Sequence, residues 1–186
     1  MMLRTSHFKC TVTALLLSWG ISAPVLADQA RIDDLLGQLK EAEPGMAERI
    51  ATEIQSEWSK SGSPAMDLLL RRGQDALESG DPGLAAEHLT AAIDHAPNFA
   101  EAYSARANAY YRLGLVGPAI EDLRVALLLN PQNFYALRGF GVVLEEMGRT
   151  EDALAIFRQV HDIYPSEPGT AEAIDRLERM LEGQAL

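Results

Sequence analysis

Residues 100–133 read AEAYSARANAYYRLGLVGPAIEDLRVALLLNPQN. Tyr103, Ala107 and Tyr110 share one face at helical spacing, and so do Ala119, Leu123 and Ala126, so the stretch reads as two amphipathic helices. Gly114, between them, suits a left-handed helix end, and Pro118 suits the first turn of the second helix. Pro131 stops that helix, because proline has no amide hydrogen to donate. Small side chains at Ala107 and Ala119 let the two antiparallel helices approach closely, while Tyr103, Tyr110 and Leu123 fill the space beside them.

The same grammar recurs at a step of 34 residues on both sides. Pro97, Pro131 and Pro165 keep that step, as do Gly80, Gly114 and Gly148, and Ala85, Ala119 and Ala153. Leu89, Leu123 and Phe157 form another column, Ala92, Ala126 and Val160 a fifth, and Gly73, Ala107 and Gly141 a sixth of small residues. The unit 134–167 carries Leu137, Gly141, Leu144, Gly148, Ala153, Phe157 and Pro165 in register, whereas 66–99 is weaker.

These units resemble the tetratricopeptide repeat (TPR), whose length is also 34 residues. The resemblance covers 66–167 and implies an all-α fold: a right-handed α-solenoid of three helix-turn-helix units at 66–99, 100–133 and 134–167. Three positions depart from the family pattern. Ala76 stands where a large residue is usual, and Arg72 and Arg106 stand where an aliphatic one is.

The flanks have to close the ends of such an array, because a repeat cannot bury its outer faces alone. Residues 168–186 supply a C-terminal capping helix with the apolar stripe Ile174, Leu177 and Leu181. Residues 28–65 predict a helical hairpin: Ile32, Leu35, Leu36 and Leu39 on one helix, a break at Glu43-Pro44-Gly45, then Ile50, Ile54 and Trp58. Two readings stay open for it, a degenerate fourth repeat or a simple hairpin docked on the first repeat. Trp58 is expected in the core.

Residues 1–27 have the pattern of an export signal: Arg4 and Lys9, an uncharged run from Thr11 to Trp19, and the ending Val25-Leu26-Ala27. An uncleaved N-terminal anchor is the alternative. Cleavage after Ala27 would leave 159 residues with no cysteine, since Cys10 is the only one. The expected location is therefore the periplasm, in a fold held by its core without disulfides. The whole chain has 16 Lys+Arg and 27 Asp+Glu, a net charge of −11. That balance excludes nucleic acid and anionic lipid as main ligands, because each needs a basic face. No second hydrophobic run long enough to span a bilayer follows.

Chemistry is sparse. His88, His95 and His161 fall on second helices, and no metal-ligand spacing, nucleophile elbow or phosphate loop surrounds them. No cofactor, metal site or catalytic residue is assigned. The resemblance implies instead that first helices line a concave groove that grips a peptide or partner helix. Carried over position by position, its side chains are Arg71, Gln74 and Glu78; Glu101, Ser104, Asn108, Tyr111 and Arg112; and Tyr135, Arg138, Val142 and Glu145.

Asn108 and Arg138 sit where chaperone-binding members clamp a peptide's C-terminal carboxylate. Leu70 and Ala105 occupy positions where that clamp needs polar residues. A partial anion site from Arg71, Asn108 and Arg138 is the expectation. Tyr111 and Tyr135 are either ligand anchors or packing between repeats. The functional expectation is an interaction module of the bacterial envelope, a scaffold, adaptor or chaperone-like protein. Alternatives are a metal- or small-molecule-binding accessory protein and a self-assembling structural protein.

Overall fold

The computed structural model describes residues 23–184. These form nine helices: α1 (Ala23–Glu41), α2 (Pro44–Trp58), α3 (Pro64–Glu78), α4 (Pro82–His95), α5 (Ala100–Arg112), α6 (Val116–Leu129), α7 (Phe134–Glu146), α8 (Thr150–Ile163) and α9 (Thr170–Gln184). The segment expected as a leader lies outside the described residues up to Ser22. Among the described residues no helix is long and apolar enough to cross a membrane.

α3 packs on α4, α5 on α6 and α7 on α8; the pairs stack through α4 on α5 and α6 on α7, and α9 closes the end against α8. α5 also touches α3 and α7, so the first helices form one continuous inner layer. Each pair turns in the same way. Gly80, Gly114 and Gly148 have φ of 82°, 73° and 73°, a region open to glycine at no steric cost. The next amide reaches back to the last turn in each case: Asp81 N to Ala76 O at 2.8 Å, Leu115 N to Tyr110 O at 2.8 Å and Arg149 N to Leu144 O at 2.9 Å. That is the Schellman arrangement, which satisfies carbonyls a helix end would otherwise strand. Pro97, Pro131 and Pro165 each follow the C-cap of a second helix.

The small-residue column is a packing requirement. A Cβ on Gly73 would sit 2.5 Å from Cγ of Leu89, a fully buried side chain of α4. Gly73→Ala gains up to about 1 kcal/mol of helix propensity but is expected to lose about 1–3 kcal/mol to overpacking. The expected result is a lower urea midpoint with an unchanged slope. A midpoint at or above wild type would mean that α3 and α4 separate freely, and would sink this account.

The N-terminal hairpin is not seated on the first repeat. α1 and α2 pair with each other, but their apolar faces dock on the third helix pair. Leu35, Leu36, Leu39, Ala47, Ile50, Ala51 and Ile54 share a core with Phe134 and Leu137 of α7, Val160 of α8 and Tyr164. Trp58 joins it, its ring 5.1 Å from that of Phe134. The reason lies in the side chains on offer. The third pair exposes a large aromatic at its start, Phe134, where the second has Ala100. The first pair keeps Leu70, Leu77, Leu89 and Ile93 in a core of its own with α5. The chain therefore loops back past the first repeat to find an apolar face.

Candidate functional site

The inner layer carries a cavity of about 570 Å³. Its floor is low because small residues recur there: Ala105 and Ala107 on α5, Gly139 on α7. Its walls come from equivalent positions of successive first helices. Glu101 and Tyr135 are one such pair, Ser104 and Arg138 a second, and Gln74, Asn108 and Val142 form a third column. Tyr111 stands at the rim, and Gln55 of α2 closes one end. The cavity is thus made by the repeat and bounded by the N-terminal hairpin.

Of the residues expected in the groove, the structure brings together Gln74, Glu101, Ser104, Asn108, Tyr111, Tyr135, Arg138 and Val142, whereas Glu78 and Glu145 do not line the cavity. Arg71 and Arg112 do not line this cavity. Arg71 projects into solvent from α3. Arg112 is a brace between repeats: its Nη1 donates to the Leu77 carbonyl at the end of α3 at 2.8 Å, and its Nε to Oδ1 of Asn108 at 3.1 Å. A cation on a helix's last carbonyls is well placed against the helix dipole. The expected partial anion site is not assembled. Arg138 already holds a carboxylate, with Nε 3.0 Å from Oε1 of buried Glu167, and Asn108 has lent its oxygen to Arg112. Tyr111 is also engaged, its hydroxyl donating to Glu146 of α7 at 2.5 Å. That bond raises the Tyr111 pKa, with burial a lesser cause. Tyr135 is 38 % exposed, so its ring is presented to the cavity.

Glu101 is the electrostatic centre of the site. It is 5 % exposed at the start of α5. Oε1 accepts from Nε2 of Gln55 at 2.5 Å, and Oε2 accepts from Nδ2 of Asn133 at 3.1 Å. Asn133 is itself fixed, because its Oδ1 caps α7 by accepting from the Ala136 amide at 3.0 Å. Burial pushes the Glu101 pKa up to about 7, against the opposing pull of the two amide donors. Oε1 of Gln55 is buried with no hydrogen-bond partner among the described residues. Glu101 projects inward as its repeat position implies, but its pairing with Gln55 is not readable from the sequence. It links residues 46 apart, outside the repeat register.

A folded-state pKa above the ordinary value of 4.5 means that the folded protein binds a proton the unfolded chain does not. Stability is therefore expected to fall as pH rises from 4.5 to about 7, and to level off above that. The full difference is at most about 3 kcal/mol. Glu101→Gln should remove this pH dependence and leave the variant more stable than wild type at pH 8. Urea titrations at pH 5 and pH 8 measure both. Equal pH slopes in wild type and variant would show that Glu101 titrates normally.

Residues 70–127 and 105–168 match the tetratricopeptide repeat family model. The chain belongs to the tetratricopeptide repeat family. A TPR repeat-containing protein of Rhizobium etli is 32 % identical over 154 residues, 82 % of this chain and 76 % of that protein. Among solved structures, the Arabidopsis OM64 TPR domain superposes with a TM-score of 0.60 at 26 % identity, covering 62 % of this chain and 96 % of the domain. The first TPR of Spaghetti (RPAP3), solved with an HSP90 peptide, gives a TM-score of 0.62 at 22 % identity, covering 64 % of this chain and 98 % of that one. At that identity the likeness concerns the TPR fold. One of the three departures from the TPR pattern finds its use in the three-dimensional arrangement: Arg106, in an aliphatic position, lies over the rings of Tyr103 and Tyr110 at 5.7 and 5.5 Å and pairs with Asp122 of α6.

Proposed function

We propose that this TPR protein is a non-enzymatic docking module of the bacterial cell envelope, holding a peptide or a segment of a partner protein in the cavity of its inner layer. The observation that carries the reading is the cavity itself: a space of about 570 Å³ whose walls repeat from α3 to α5 to α7. An extended or helical segment meets equivalent positions, with different side chains, as it runs across successive first helices. Membership of the TPR family supports a scaffold, adaptor or chaperone-like role. The export pattern of residues 1–27 supports a periplasmic location.

Photo-crosslinking in living cells tests it, with the probe at Asn108 in the cavity and, as control, at Glu121, which is exposed on α6. The expected result is a discrete adduct at Asn108 alone, with the protein recovered from the periplasmic fraction. Adducts only at Glu121 would move the docking surface to the outer layer. Recovery from the cytoplasm would overturn the location.

A further inference from the structure

We propose that the end of the cavity bounded by α2 and α5 is a receptor for a cationic side chain, an arginine of the docked partner, received by Glu101, the free oxygen of Gln55 and the ring of Tyr135. The inference deepens the docking reading and rests on it. Two charged residues line the cavity, Glu101 and Arg138. Arg138 is neutralised by Glu167. Glu101 has hydrogen bonds from two amides and no ion pair among the described residues, so the cavity holds one carboxyl group with no cation paired to it. Beside it the Gln55 oxygen is buried without a donor. An unpaired buried acceptor is costly and is satisfied by whatever donor enters.

A guanidinium matches this set. It carries five donors in a planar fork, enough for a carboxylate oxygen and the Gln55 oxygen together, and it stacks on an aromatic face such as Tyr135. A compact ammonium reaches fewer of these groups. A partner's terminal carboxylate would face Glu101 with Arg138 already occupied. The net charge of −11 also favours encounter with basic partners. The other groups facing Glu101 are consistent with this sign: Tyr135 is a neutral phenol whose pKa is raised by burial first, and by the charges of Glu167 and Glu101 after it.

The test uses the purified full chain and four pools of short fluorescent peptides, acetylated and amidated at their ends. Each pool fixes a central Arg, Lys, norleucine or Glu. Fluorescence anisotropy at neutral pH is expected to rank Arg first, about ten-fold or more above norleucine, with Glu weakest. In Glu101→Gln, which keeps the side chain's shape, the Arg pool's advantage over the norleucine pool should vanish. Calorimetry in two buffers of different ionisation enthalpy should show wild type releasing protons on binding the Arg pool, because a new cation ionises the carboxyl group. Arg preference that survives in Glu101→Gln, or equal binding of Arg and norleucine pools, overturns the cation site and leaves the docking reading standing. Binding of no pool at all overturns both.

Discussion

Phe134→Ala is expected to cost about 3–5 kcal/mol and to release the N-terminal hairpin from the array. Phe134 is fully buried at the start of α7, and three aromatic rings surround it: Trp58 at 5.1 Å, Tyr135 at 4.6 Å and Tyr164 at 5.3 Å. Trp58 comes from α2, Tyr164 from the end of α8. The ring is therefore where the hairpin, the third repeat and the chain leading to the cap meet. The core around it includes Ile50 and Ile54 of α2 and Leu35 and Leu39 of α1. Removing it opens a cavity that α7, tied into the stack on both sides, cannot collapse to fill. Hydrogen exchange should show α1 and α2 losing protection well before α5 and α6, and urea unfolding should become broader or biphasic. If the hairpin amides stay as protected as those of α5, the hairpin is held by something other than this aromatic seam.

The fold was legible because the repeat is a physical code written three times. Glycine at 80, 114 and 148, proline at 97, 131 and 165, and small residues at 85, 119 and 153 each answer a local need. These are a left-handed turn, a helix stop and a close helix approach. Local needs are readable without knowing what lies far along the chain. The docking of the hairpin was not readable in that way. Leu35, Ile50 and Ile54 announce that a face must be buried, but an apolar stripe does not name its partner; Phe134 and Tyr164 win it by geometry, about a hundred residues away. The cavity divides on the same line. Gln74, Asn108, Tyr111, Tyr135 and Arg138 follow from repeat position. That Arg138 is taken by Glu167, Arg112 by the Leu77 carbonyl and Glu101 by Gln55 follows only from packing between helices.

Asp122→Ala should cost about 3–5 kcal/mol, because it leaves Arg106 as an uncompensated, largely buried cation. The pair is bidentate: Nε of Arg106 lies 2.7 Å from Oδ2 of Asp122 and Nη2 lies 2.8 Å from Oδ1. The two side chains are 15 % and 8 % exposed. Nη1 also donates to Thr90 of α4 at 3.1 Å, so one guanidinium ties α4, α5 and α6 together. Its pKa is raised chiefly by the hydrogen bonds to Asp122, against the desolvation that lowers it. Removing Asp122 takes that support away and leaves the desolvation, but a guanidinium ordinarily titrates so far above neutral pH that Arg106 stays charged.

The repeat contains its own control. One step along, the positions of Arg106 and Asp122 are held by Phe140 and Ile156, an apolar pair packed in the third repeat. Arg106 is accommodated at an aliphatic position of the second repeat because Asp122 meets it across the helix pair. Moving both residues, Arg106→Phe with Asp122→Ile, should return stability to within about 1 kcal/mol of wild type or above it, since a well-packed apolar pair commonly replaces a buried ion pair without loss. Urea denaturation of wild type, single variant and double variant decides the matter. A double variant as unstable as Asp122→Ala would mean that the bond to Thr90 and the two tyrosine faces, rather than the ion pair, hold the second repeat against the first.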